Sequence, residues 1–155
     1  MKNTISRHAR EAAMQLLYEM DMTGEHPSAA RTVEDEDVDD SHVQLQMAHE
    51  PEYAAEQLTS PDDGAFVQRV IEAFSNHHAD VDETISANSH KWKLDRISKV
   101  DLAILRLALL EMMYVHTPSK IAINEAIELA KKYSGEKSYR FVNGVLAGYT
   151  RSKES

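Results

Sequence analysis

The run from Val100 to Val115, VDLAILRLALLEMMYV, constrains the chain more than any other stretch. Asp101, Arg106 and Glu111 are its only charges. At 3.6 residues per turn they fall roughly 140° apart around a helix, so no face is left polar. A helix that is apolar all round has to be enclosed by protein, and this one is shorter than the ~18–20 residues that cross a bilayer. The expected fold is therefore all-α, a single-domain bundle of about six or seven helices around a central one, since no strand-like alternation persists elsewhere.

The flanks supply helix signals. Ser98, three residues before Asp101, suits a capped start, and Thr117-Pro118 marks an end and the first turn of the next helix. That helix, from about Ser119 to Tyr133, lines up Ile123, Ala126, Ile127, Ala130 and Tyr133, with Glu128 four residues before Lys132 on its outer side. Ser134-Gly135 ends it. A last helix from about Ser138 stacks Phe141, Val142, Val145, Leu146 and Tyr149. Gly144 inside it costs about 1 kcal/mol against Ala, which is read as the mark of a close helix crossing.

Nearer the N-terminus, residues 5–23 read as a helix with Ala9, Ala13, Leu16, Leu17 and Met20 on its apolar stripe and Gly24 as its stop. Arg7 and Arg10 are assigned to its outer flank, and Lys2 adds a charge just before it. A basic helix start opposes the helix dipole. The cluster thus invites a functional reading beside the plain one of a solvated helix end. Pro61 to Gly64 punctuates the chain before a helix carrying Val67, Val70, Ile71 and Phe74. Asp80-Val81-Asp82-Glu83 has capping-box spacing and is read as opening another, with Val81, Ile85 and Trp92 inward.

A net charge of −9 would argue against binding a polyanion, but it is unevenly distributed. Residues 31–63 hold eleven acids and one base, whereas Lys91 to Ser155 holds twelve bases and seven acids. Binding follows the local field, so a neutral-to-basic body can still meet phosphate. The run Glu34 to Asp40 repels itself too strongly for a packed element, and an exposed, flexible acidic insert is expected at about 25–63 within one domain over residues 1–155. DEDVDD lacks the glycine turn and distal glutamate of a calcium loop, so no metal is expected there.

Cysteine is absent, and neither a signal peptide nor a membrane span is evident, which makes a cytoplasmic protein with no membrane partner the expectation. The eight histidines are scattered, with no HExxH, glycine-rich phosphate loop or nucleophile elbow. No catalytic residue, cofactor or metal ligand is expected, and the chain does not read as an enzyme. Asn124, Glu125 and Glu128 lie on a helix next to the one bearing Arg106 and Glu111, and an ion pair or cap between those two helices is the expected use. Lys137 and Arg140 at a helix start, with Phe141 beside them, combine charge, backbone amides and an aromatic face, the ingredients of single-stranded RNA binding. On spacing alone Phe141 is better read as a core residue.

The runs AILRLALLEM, PSKIAINEAIELAKKY and SYRFVNGVL, with the pattern ARxAAxxLLYxxD over Ala9 to Asp21, closely resemble the NusB family of bacterial transcription antitermination factors. The resemblance covers Lys2 to Gly24 and about Phe66 to Tyr149. It implies an all-helical NusB-like domain that binds the boxA element of nascent ribosomal RNA transcripts together with the ribosomal protein NusE. That pair would join NusA and NusG on RNA polymerase and help it read through terminators. It also implies that Lys2, Arg7 and Arg10 hold RNA, with Lys137, Arg140 and Phe141 bordering the same surface, and that the Asp101 end of the central helix meets NusE. Ser6 and His8 stand where some relatives carry arginine. A homodimer is left open. An RNA methyltransferase with a NusB-like N-terminal domain is a poor alternative, since 155 residues leave no room for a cofactor-binding α/β domain. A helical interaction module with weak or lost RNA binding is the better one, given Ser6, His8 and the net charge.

Overall fold

The computed structural model describes residues 5–23, 60–89 and 93–154. Lys2, Gly24, the acidic run Glu34 to Asp40, and Trp92 lie outside the described residues. Among those described there are five α-helices: α1 (Arg7–Thr23), α2 (Pro61–Ser89), α3 (Lys99–Leu110), α4 (Ser119–Tyr133) and α5 (Glu136–Glu154). A 3-10 turn at Leu94–Arg96 precedes α3, and a π-helical turn at Glu111–Val115 follows it. The all-α bundle is as expected; the helix count is lower.

Part of that difference lies in α2. Asp80 to Glu83 does not open a new helix. The chain continues as one 29-residue helix bent at His77, which leaves helical geometry at φ −133° and ψ 18°. No proline or glycine stands at the bend. His77 instead lays its ring flat on Tyr114 of the π turn, with centroids 4.0 Å apart and planes 7° from parallel. Asp82, expected in a cap, reaches the central helix instead.

The central helix behaves as its sequence requires. Every residue from Val100 to Glu111 is buried, and α1, α2, α4 and α5 all pack on α3. The Ser98 hydroxyl accepts the Asp101 N–H at 3.1 Å and caps its start. At the other end the π turn closes on His116 in the left-handed region, φ 67°, where the Thr117 N–H donates to the Glu111 carbonyl at 2.9 Å. The core around α3 includes Met14 and Leu17 from α1, Phe66 and Phe74 from α2, Leu129 from α4 and Leu146 from α5. Leu16, expected on the α1 stripe, is 40% exposed, and Met14 takes the inward position.

The short α4–α5 turn uses Gly135 at φ +123°, a conformation that side chains with a Cβ resist. Gly144 is not the crossing glycine: a Cβ there would meet nothing within 4 Å. The close approach is at Gly148, where a Cβ would stand 2.7 Å from Asn88 Oδ1 on α2. Asn88 is held there by its own bond to the Thr84 carbonyl, 2.9 Å. Gly148→Ala should therefore displace Asn88 and cost stability, whereas Gly144→Ala should gain up to about 1 kcal/mol from helix propensity. Urea unfolding of the two variants checks this; equal midpoints would contradict the crossing.

Candidate nucleic-acid interface

Ser6 fixes the start of α1. Its hydroxyl accepts the Ala9 N–H at 3.1 Å, as an N-cap does. The same hydroxyl donates to Asp63 Oδ2 at 2.6 Å, and the Ser6 N–H donates to Asp63 Oδ1 at 3.1 Å. Ser6 thus ties α1 to the first turn of α2. Asp63 is 5% exposed. Pro61 to Asp63 accordingly belong to α2 rather than to the acidic insert expected up to about residue 63.

The two described arginines of the N-terminal cluster have separate environments. Arg7 is half-exposed and pairs side-on with Glu125 of α4: Nε donates to Oε1 and Nη2 to Oε2, each at 2.9 Å. The hydrogen bond from Arg7 holds the Glu125 carboxyl below the usual carboxylate range against the opposing effect of burial, and raises Arg7 in turn. Arg10 is not on the outer flank. It is 5% exposed, with Nη2 and Nε on the Glu111 carboxylate at 2.8 and 3.0 Å and Nη1 on the Ile5 carbonyl at 3.1 Å. Its guanidinium also lies 5.3 Å from the Phe66 ring centroid. Arg10 turns inward because Glu111, 1% exposed, needs a counter-charge at the end of the central helix. Glu111 also accepts the Thr117 hydroxyl at 2.9 Å.

Of the α4 residues expected to pair with the Arg106–Glu111 helix, the two acids are seen with other partners. Glu125 holds Arg7, Glu111 holds Arg10, and Glu128 lies 3.9 Å from Lys131. Arg106 is fully buried, with Nε and Nη2 on Asp82 at 2.9 and 3.0 Å and Nη1 3.5 Å from Asp21. It is structural, as its sequence context suggested.

At the other end of the bundle, a groove of about 300 Å³ runs between the 3-10 turn and the start of α5. Arg96, Ile97, Ser98, Asp101, Lys137, Ser138 and Phe141 line it. Lys137 and Arg140 are exposed and Phe141 is half-buried, so the aromatic ring is neither pure core nor free surface. Asp101, expected to face a partner, is 6% exposed and accepts the Ser134 hydroxyl at 3.1 Å. It braces the groove floor, because the carboxylate is drawn to the α4–α5 turn packed over the start of α3.

Of the cations expected to form one surface, Lys2 lies outside the described residues and Arg10 is buried. Arg7 sits at the α1–α4 seam, and Lys137, Arg140 and Phe141 lie beyond the C-terminal end of α4. Lys131 and Lys132 stand on α4 between them, at roughly 1.5 Å of rise per residue along the helix. Lys132 Nζ is 2.6 Å from Glu11 Oε2, and Lys131 Nζ is 5.0 Å from the Tyr139 ring centroid. Arg96 and Lys131 carried no functional expectation, and Lys132 was expected only opposite Glu128 on the outer side of its helix. The two lysines carried a visible signal, since consecutive basic residues in a last helical turn favour the dipole and lead directly into Lys137. Arg96 had none, because only the fold brings its turn beside α5. Among the described residues no group of His, Asp or Glu is arranged to hold a metal ion, and no helix is long and apolar enough to cross a membrane.

Comparison with known proteins now places this arrangement. The NusB family model matches residues 7–151. The chain is 39% identical over 150 residues to the transcription antitermination protein NusB of Finegoldia magna, covering 96% of each chain. It is 41% identical over 141 residues to that of Clostridium botulinum, covering 90% of this chain and 95% of the relative. A solved structure of T. maritima NusB superposes with a TM-score of 0.70 at 27% identity over 97% of this chain and 93% of that one. A structure of NusB and NusE in complex with dsRNA superposes equally well, TM-score 0.70, at 22% identity over 94% and 96% of the two chains, a likeness of fold. With the motifs of α1, α3, α4 and α5 set in this bundle and matched along nearly their whole length, the chain belongs to the NusB family of transcription antitermination proteins.

Proposed function

We propose that this protein acts in transcription antitermination in the cytoplasm by binding single-stranded RNA, the boxA element of nascent ribosomal RNA transcripts, together with NusE. NusA, NusG and RNA polymerase complete the assembly in this reading, and NusE supplies a second attachment that makes weak RNA contacts effective. Family membership supports the role, and a related NusB has been captured with NusE and dsRNA. The observation that carries the RNA reading is the groove at the start of α5, where the half-buried Phe141 ring shares the lining with Arg96 and Lys137, and the exposed Arg140 lies next to it in the chain. A ring offers a stacking platform for one base, and the cations flank it where the backbone phosphates would run.

Labelled boxA RNA titrated at several salt concentrations, with and without NusE, tests the reading. Lys137→Ala and Arg140→Ala should each make the log–log salt slope shallower by roughly 0.7, the value for one single-strand phosphate contact. Phe141→Ala should weaken binding by about 1–3 kcal/mol with the slope unchanged. If neither pattern appears in folded variants, the groove is not the RNA site. NusE contacts are assigned to exposed residues around the groove rather than to Asp101 itself, whose reversal would first disturb its bond to Ser134. The alternative, an interaction module with weak or lost RNA binding, gains from the burial of Arg10, which withdraws one cation of the N-terminal cluster. Undiminished NusE binding without RNA binding would select it.

A further inference from the structure

Arg7 is the one described arginine of the N-terminal cluster that reaches solvent, and its guanidinium is already engaged. Of its five N–H groups, Nε and one on Nη2 go to Glu125, leaving both N–H groups of Nη1 and the second of Nη2. Two of these, one on Nη1 and one on Nη2, form the end-on edge, the second bidentate face of a guanidinium. Among the described residues Arg7 has no other hydrogen-bond partner, and its side chain is 51% exposed. The Glu125 side chain is only 17% exposed.

We propose that Glu125 is a positioning residue for phosphate recognition. It holds the Nε edge of Arg7 against α4 and presents the Nη1–Nη2 edge to a phosphate of bound RNA. This inference rests on the RNA-binding reading above and adds to it a residue of the wrong charge for the task. A carboxylate beside a polyanion site would ordinarily be taken as a competitor that phosphate must displace.

Burial decides between the two roles. Displacement would strand a largely buried carboxylate without its partner, which is costly. Arg10, the other cation acting on Glu125, is already committed to Glu111. Using the free edge of Arg7 leaves the Glu125 pair intact and needs no such loss. It also spares the ordering of a long side chain at the moment of binding, because the side-on pair has fixed the guanidinium plane beforehand. Phosphate and carboxylate then share one guanidinium from adjacent edges, and the repulsion between them is offset by its charge.

The test is a double-mutant cycle on the labelled RNA with Arg7→Ala, Glu125→Gln and the double variant. Glu125→Gln removes a negative charge, so a simple electrostatic effect would tighten binding. Positioning predicts binding about three- to tenfold weaker in the Arg7 background. In the Arg7→Ala background the same change should produce no weakening, which a merely structural role for Glu125 would not arrange. Glu125→Asp keeps the charge but shortens the arm, and should also weaken binding. It decides the matter if Glu125→Gln perturbs the fold, as judged by circular dichroism and thermal midpoint. Equal or tighter binding by Glu125→Gln, or by Glu125→Asp where that variant decides, overturns the inference. An unchanged affinity and salt slope in Arg7→Ala overturns both the inference and the N-terminal part of the RNA surface. The Lys137 and Arg140 variants judge the groove separately.

Discussion

Arg106→Met is expected to lower folding stability by about 3–5 kcal/mol, the range for removing one partner of a buried ion pair. The guanidinium is fully buried, and the carboxylates around it are nearly so: the Asp21 side chain is 2% exposed and that of Asp82 is 15%. Methionine fills much of the space and keeps some contact with Phe74, whose ring centroid lies 5.4 Å from the guanidinium carbon. What it cannot do is answer two carboxylates from α1 and α2. Adding Asp21→Asn and Asp82→Asn should return much of the lost stability, since neutral amides are less costly to leave beside an apolar side chain than charges. Urea unfolding of the single and triple variants measures both steps. A loss within about 1 kcal/mol for Arg106→Met would mean that the pair is not supporting the fold as argued.

The same residue shows what could be read in the sequence. Three charges roughly 140° apart on an enclosed helix must each be answered by a different neighbour. Asp101 is met by Ser134 in the α4–α5 turn, Arg106 by Asp82 and Asp21, and Glu111 by Arg10. The need for partners was legible, because burial follows from hydropathy alone. Their identities were not, because they depend on which helices lie on which side of α3. Local signals fared well for the same reason: the Ser98 cap and the bounds of α4 involve only nearby backbone. Gly144 and Gly148 looked alike in the chain, and only the crossing with Asn88 separates them. The bend at His77 coincides with its stacking on Tyr114, far along the sequence.

The site divides along the same line. Lys137, Arg140 and Phe141 could be grouped from the sequence because they lie together on one turn of helix, and the fold supplies the groove that Lys137 and Phe141 line. Arg7 and Arg10, three residues apart at the start of α1, looked equivalent. They differ because Glu111 lies under one and Glu125 beside the other.

That difference yields the second large effect. Arg10→Ala should cost about 3–5 kcal/mol, because it leaves Glu111 buried without its counter-charge at the junction of α1, the π turn and the Thr117 hydroxyl. Any fall in RNA binding by that variant would then reflect a disturbed fold, and the single substitution cannot report on phosphate contact. The double variant Arg10→Gln with Glu111→Gln separates the two. Its amides retain hydrogen-bonding capacity without stranding a charge, so it should be clearly more stable than Arg10→Ala. If Arg10 serves the core alone, its salt slope for RNA should match that of the unsubstituted protein, while Lys137→Ala in the same assay becomes shallower by roughly 0.7. A shallower slope in the double variant would instead show that Arg10 leaves Glu111 to meet phosphate when RNA binds. The buried pair would then be a switch rather than a fastening.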